Sequence, residues 1–314
     1  FRVGAAAGWA SRRSRSLDLL TLAFNGAGVI AMVFPLVQLG AYQARVLQAE
    51  TANAASDSSL QYRLPEAPPD IYYIVLDSYA RQDVLQRVYD LDNQPFLDQL
   101  RGLGFTVATC SQSNYAQTLL SLASSLNFNY LDALGIDLSA SSDDRSLAVE
   151  LLHHSELRRV LSHLGYRMVA LDSNFFQTQI KDADPFLSFQ HEALGGVNEF
   201  EALLLETSAG VLVTDAAALL PNALTPDINY PHKVHRQAVL YSLDKLAALP
   251  AEIPGPKFVF AHIVAPHEPF VFGPDGEEVL VPEDALGATY AQGYRDQVTY
   301  LNKRLIPMLQ AILA

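Results

Sequence analysis

Sulfur and positive charge are what this sequence has least of. A single cysteine, Cys110, stands in 314 residues, which excludes an intramolecular disulfide framework and a cysteine-based zinc site. Any metal must therefore be held by oxygen and nitrogen ligands. Lys and Arg number 21 against 34 Asp and Glu, a formal net charge of -13. A nucleic-acid surface needs clustered basic side chains to neutralise phosphates, so nucleic acid is not an expected partner. The acidity itself suits any soluble exported domain. Internal repeats are missing too. There is no Met at position 1, and the chain stops at Ala314 inside a helical pattern, so both ends read as cut and the sequence as a fragment.

The N-terminal part carries a membrane signal. From Leu17 to Tyr42 the chain is mostly apolar, interrupted by Asp18, Asn25 and Gln38, and roughly 20 apolar residues span a bilayer core. Arg12, Arg13 and Arg15 precede this stretch and Arg45 alone follows it closely. The asymmetry predicts a transmembrane helix with its N-terminal side cytoplasmic and everything beyond exported, to a periplasmic or extracellular location. A cleaved signal peptide would have a shorter apolar region, roughly 7–15 residues. Three regions result: a basic stub and membrane helix over 1–47, an Ala-, Ser- and Pro-rich linker over 48–69, and a domain over 70–314. That domain has about 245 residues, enough for one substantial core.

Within the domain, apolar runs alternate with helical patterns. IYYIVLD (71–77) follows Pro68-Pro69 and reads as a strand buried on both faces. Phe96, Leu97, Leu100 and Leu103 mark a helix over 94–104, and FTVATC (105–110) reads as a second strand. A helix over 146–164, recapped near Ser155, leads to a third strand, YRMVALD (166–172). Helices are expected around Glu199–Leu220 and His232–Leu249, a fourth strand at KFVFAHIV (257–264), and a long amphipathic helix over Tyr290–Leu313. Strands separated by helices predict an α/β fold with a mostly parallel sheet.

In open parallel sheets the chemistry collects at the carboxyl ends of the strands. That places Asp77, the hydroxyl-rich segment 113–121, Asp172 and His267 on one edge. An acid, a hydroxyl cluster and a histidine together suit metal-assisted substitution at phosphorus or sulfur. SQSNYAQTLLSLASSLN (111–127) turns from polar to apolar near Thr118, the expected start of a helix. A hydroxyl there meets unsatisfied backbone N–H groups and the positive end of the helix dipole, which favour an alkoxide and a bound phosphate or sulfate. Threonine in that position also serves as an ordinary N-cap.

Three segments carry a family resemblance. Thr118-Leu119-Leu120-Ser121-Leu122-Ala123-Ser124 resembles the sulfatase signature C-x-P-S-R-A-S, with Thr118 in the nucleophile position. VLDSYARQD (75–83) resembles the family's metal-binding strand end, with Ser78 where sulfatases carry a second acid. In FAHIVAPHEPFVF (260–272), His262, Pro266, His267, Pro269 and Phe270 occupy the places of the family's proline-flanked histidine segment. The chain is thus similar, over roughly 70–314, to the sulfatase/alkaline-phosphatase superfamily. Its threonine is closest to the phosphoethanolamine transferases and lipoteichoic-acid synthase-like enzymes.

That resemblance implies an alkaline-phosphatase-like three-layer sandwich and a divalent metal ion held in part by Asp77 and Thr118. It implies Thr118 as the nucleophile and His267 as the residue that meets the transferring group. With one acid in place of two, Zn or Mn is favoured, with Ca or Mg as alternatives. Leu120 and Leu122 depart from the Pro and Arg of the signature, which speaks against formylglycine chemistry. The expected substrate is an envelope phospholipid or glycan, met at the cell membrane. An Asp-His pair beyond Ala314 would complete the family's metal site, so the fragment by itself is expected to be inactive. His262, Arg81 and Asn114 are further substrate-binding candidates, each with a packing or surface role as the alternative. The pairs His153/His154 and His232/His235 read as surface or helix-end histidines. The rival from another class is a non-catalytic exported domain that binds anionic glycans or proteins.

Overall fold

The computed structural model describes residues 64–136, 144–189, 230–281 and 285–314, with residues 22, 24–33, 36, 37 and 40 nearer the N-terminus. The chain divides into one unit of Gln61–Leu138 with Leu151–Ala314 and another of Phe1–Leu60 with Ser139–Glu150. In the smaller unit, residues 24–33 are helical and exposed. The rest of the expected Leu17–Tyr42 membrane segment lies largely outside the described residues, as do most of the linker and the helix expected at Glu199–Leu220. Among the described residues no helix is long and apolar enough to cross a membrane.

The larger unit is α/β. Its sheet contains β1 (Ile71–Leu76), β2 (Arg167–Leu171), β3 (Phe186–Leu187) and β4 (Lys257–Ile263), in the order β1-β4-β2-β3. Every pairing among them is parallel. The seven residues of β4 are all buried, as its central place requires. Each residue of β1 is only partly buried, contrary to the reading of 71–77 as covered on both faces. The reason is position: β1 is an edge strand of the described sheet.

Beyond residue 80 seven α-helices are described: α1 (Gln82–Tyr89), α2 (Gln94–Gly102), α3 (Thr118–Leu126), α4 (Ser146–His153), α5 (Glu156–His163), α6 (Tyr230–Glu252) and α7 (Ala288–Leu313). The side-chain alternation of β4 sorts them. Val259, Ala261 and Ile263 join a core with Val239, Leu243, Leu246 and Leu249 of α6 and Leu301, Leu305 and Met308 of α7. Phe258, Phe260 and His262 point the other way. There Phe260 stacks on Tyr73 at 6.2 Å between ring centroids, and the Tyr73 hydroxyl hydrogen-bonds to Ser125 of α3. Two consecutive strands are thus tied to helices on both of their faces.

The bottom of the β1–β4 pair is pinned electrostatically. Lys257, 1% exposed, places its ammonium on the Asp70 carboxylate, which also accepts the Lys257 backbone N–H at 3.1 Å. A buried cation needs such a partner, and here the pairing fixes the register of β4 against the start of β1. The recapping expected near Ser155 is present: its hydroxyl accepts from the Arg158 N–H at the start of α5.

FTVATC (105–110) is not a strand. The end of α2 wraps through Gly104, at φ 94°, and the Phe105 N–H returns to the Leu100 carbonyl, a helix-closing turn. Beyond it the residues stay mostly exposed with no ladder to join. β propensity is realised only against a partner strand, and none of the described strands pairs with this segment.

Replacing the fully buried Leu246 by Ala should lower the unfolding free energy by about 2–5 kcal/mol in urea titration. Asp244→Ala, which removes an ion pair with Arg304 whose carboxylate is 72% exposed, should change it by less than about 1 kcal/mol.

Candidate active site

The site begins where the β1–β4 ladder runs out. The Asp77 N–H donates to the Ile263 carbonyl at 2.9 Å, and the Asp77 carbonyl accepts from the His267 N–H at 3.0 Å. Main-chain bonds on either side thus fix one residue against two stretches of the β4 segment. The chain then turns sharply at Ser78, whose φ of 65° lies in the left-handed region that non-glycine residues rarely enter. Tyr294 of α7 holds this turn. Its hydroxyl donates to the Ser78 carbonyl at 2.8 Å and accepts from the Ala80 N–H at 3.1 Å. Burial pushes the Tyr294 phenol up to about 12, which keeps that donor proton in place.

Thr118 opens α3. The residue before it, Gln117, is extended and makes no side-chain capping bond. The helix exists because Leu119, Leu120, Leu122, Ala123 and Leu126 are buried along it, with cap chemistry adding nothing. The Thr118 hydroxyl does not cap the helix either. It donates across the chain to Asp77, at 3.3 Å from Oδ1 and 3.4 Å from Oδ2. The hydroxyl therefore does not take the N-cap role that was its alternative. The first-turn N–H groups of α3 have no intrahelical acceptor.

Of the other candidates, Asn114 does structural work: its amide donates to the Ser124 hydroxyl at 3.2 Å and anchors the loop onto α3. Ser113 does the same through Ser121 at 2.9 Å. Arg81 forms a bidentate pair with Asp83, at 2.6 and 2.9 Å, and donates to the Ser111 carbonyl at 3.0 Å. It therefore ties the start of α1 to the loop that leads to Thr118. Arg81 also lines a groove of about 800 Å3 with Tyr79, Arg101, Ser111 and Ser113, and none of Asp77, Thr118, His262 or His267 borders it.

Both histidines of the β4 segment reach the site. His262, 1% exposed, sets Nε2 at 3.3 Å from Asp77 Oδ2 and Nδ1 at 2.8 Å from Thr178 Oγ1. His267 binds the Glu268 carbonyl through Nδ1 at 2.6 Å. A carbonyl only accepts, so Nδ1 carries the proton and Nε2 is the ring atom available to a ligand. Burial by itself would raise the Asp77 carboxyl. The hydrogen bond and charge of His262, then His267 and the Thr118 hydroxyl, outweigh it and hold Asp77 below the ordinary carboxylate range.

Two side chains that sequence reasoning left aside prove to matter. Gln297 is fully buried; its Nε2 donates to the His267 carbonyl at 3.0 Å and its Oε1 accepts the Val271 N–H at 2.9 Å. A lone amide in the stripe Tyr294, Val298, Leu301, Leu305 was the available signal. His235, read as a surface or helix-end histidine, lies near the start of α6 and is only partly exposed. Its Nε2 is closed off from solvent without a hydrogen-bond partner, and it borders a cavity of about 10 Å3 with Asp172 and His262. Burial, with the neighbouring His267 and His232, pushes it down to about 4. No local pattern marks it, because the burial comes from the packing of α6 against β4.

A divalent ion fits part of this arrangement. Two oxygens bound tetrahedrally at roughly 2.0–2.2 Å lie about 3.3 Å apart, close to the separations of Thr118 Oγ1 from the Asp77 oxygens. An acidified carboxylate that stays ionised is the right donor. Asp77 and Thr118 thus suit a shared ion, and among the described residues no group of three or more His, Cys, Asp or Glu side chains is arranged to hold one.

Gln297→Met keeps the shape of the side chain and removes both clamps on the histidine loop. It should cost about 2 kcal/mol or more in urea unfolding, because the Val271 N–H is left unsatisfied. His235 predicts a pH dependence. Its folded value lies below the ordinary 6.5, so the unfolded chain takes up the proton first as pH falls. The stability it contributes is complete above about 6.5 and is lost between there and about 4, by up to roughly 3 kcal/mol. Unfolding midpoints at neutral and mildly acidic pH should show this loss in the wild type and a smaller one in His235→Gln.

Comparison of the chain with known protein families, with curated proteins and with solved structures finds no match.

Proposed function

We propose that this chain is a membrane-anchored, metal-dependent enzyme of the sulfatase/alkaline-phosphatase type, built on that superfamily's three-layer sandwich. It acts on phosphate or sulfate esters through Thr118 and transfers or hydrolyses a phospho-substituent of an envelope lipid or glycan. The observation that carries this reading is the Thr118 hydroxyl, which leaves its own helix uncapped and donates to Asp77.

The residues divide the work by their chemistry. Asp77 is too acidic to retain a proton, so it serves as a ligand and an orienting acceptor. A bound divalent ion supplies the positive charge that acidifies a coordinated hydroxyl and screens the phosphoryl or sulfuryl oxygens. Thr118 Oγ1, its proton released to solvent, forms the new ester bond as the bond to the leaving oxygen breaks, in line with it. The N–H groups at the start of α3 meet the equatorial oxygens. His267, its Nδ1–H committed to Glu268, gives a proton from Nε2 to the leaving oxygen and regains one from the attacking water or alcohol. Water or an acceptor alcohol then attacks the esterified threonine and restores the hydroxyl. Turnover of this kind accommodates hydrolysis and transfer alike, and the acceptor decides between them.

In the full-length protein, Thr118→Ala should keep its fold and lose turnover by at least about a thousandfold, the scale of losing a nucleophile. Thr118→Ser should retain part of it. Incubation with a phospholipid donor, an aryl phosphate or an aryl sulfate, followed by peptide mass spectrometry, should find the adduct on Thr118. Near-normal turnover in Thr118→Ala would refute the nucleophile, and clean aryl sulfatase activity would refute the phospho-transfer reading.

A further inference from the structure

Behind Asp77 lies a chain of hydroxyls that turnover itself does not use. The short 3-10 turn Phe176–Thr178 follows the β2 end. It brings the Thr178 hydroxyl, fully buried, to 2.8 Å from His262 Nδ1 and 2.9 Å from the hydroxyl of Ser173. Ser173 in turn accepts the Phe175 N–H at 3.1 Å. The line Ser173–Thr178–His262–Asp77–Thr118 is continuous.

Counting donors sets its direction. Asp77 is a carboxylate and only accepts, so His262 Nε2 carries the proton that lies on Oδ2. The ring is 1% exposed. Its Nδ1 lies 2.8 Å from the Thr178 hydroxyl, closer than the Phe175 carbonyl, which the same hydroxyl reaches at 3.2 Å. Ser173 satisfies its own proton on Thr178 or on the Phe175 carbonyl, each within 3.1 Å. Every member of the chain is paired with no ion added.

We infer that Thr178 is a positioning residue: its hydroxyl fixes the plane of His262, and His262 Nε2–H in turn holds the Asp77 carboxylate at the angle that faces Thr118. A carboxylate that ligates a metal is commonly oriented by such outer hydrogen bonds, and losing one costs about 10–100-fold in metal affinity or activity. The metal-affinity part of the inference rests on the function proposed above; the ring geometry does not.

The test uses full-length protein with 15N-labelled histidines, His262 being assigned from the spectrum of His262→Gln. The wild type should show the His262 Nε2 proton protected from exchange. Thr178→Val is close in shape to threonine; it should move the Nδ1 resonance and expose the Nε2 proton, and Thr178→Ser should restore both. A freely exchanging Nε2 proton in the wild type, or an unchanged ring spectrum in Thr178→Val, overturns the inference. Titration with Zn2+ or Mn2+ should then give a 10–100-fold weaker affinity for Thr178→Val and recovery in Thr178→Ser. Equal affinities beside a changed ring spectrum overturn the positioning role. A wild type that takes up neither ion, with the ring spectra as expected, removes the proposed metal chemistry and supports the Thr178–His262–Asp77 geometry alone. If Thr178→Val fails to fold, Ser173→Ala replaces it, and the same Nδ1 shift in weaker form is expected.

Discussion

The main-chain bonds on the two sides of Asp77 hold the site together. Its N–H closes the last step of the β1–β4 ladder on Ile263, and its carbonyl takes the first N–H beyond the proline at 266. One residue thereby fixes the distance between the end of an edge strand and the loop that carries His267. A side-chain contact could relax by a rotamer change, but a pair of backbone bonds cannot. Everything that converges on the Asp77 carboxylate therefore converges on a defined point: Thr118 from α3, His262 from within β4, and the nearby charge of His267.

Helix α7 supplies the second constraint. Tyr294 and Gln297, one turn apart on the same face, grip the turn after Asp77 and the loop after His267. Both side chains are buried, and both spend their polar atoms on backbone groups that would otherwise be unsatisfied. Gly293 lets this helix come close: a Cβ there would stand 2.7 Å from the Phe270 ring. The polar clamps work because the surrounding contact is apolar and tight, with Phe270, Tyr294 and Val298 in one cluster beside Leu85 of α1. Loops that carry the candidate residues are thus held by an element that carries none of them.

How much of this was legible in the sequence depended on whether the signal was local. IYYIVL, RMVAL and KFVFAHI are recognisable as strands because their apolar runs need no partner to be seen, and α2, α5 and α7 because their stripes repeat at helical spacing. Thr118 was visible as a change of composition, and Asp77 and His267 as residues that close or follow strands. FTVATC had the same local credentials and failed, since a strand needs an edge to join and the end of α2 turned it away. His235 gave no such signal, and Gln297 only that of a lone amide in an apolar stripe, because each is an ordinary polar residue of a helix until packing closes over it.

The sequence by itself determined the α/β alternation, the parallel sheet and the types of residue that stand at strand ends, because hydrophobic period and strand-end placement are properties of short segments. Tertiary structure alone decided which of those residues meet. It brought His262 onto Asp77 across a parallel pair separated by more than 180 positions, turned the Thr118 hydroxyl away from its own helix, and set Thr178 behind the imidazole. Those choices are settled by register and by the burial of polar groups that must find partners, which no stretch of sequence carries within itself.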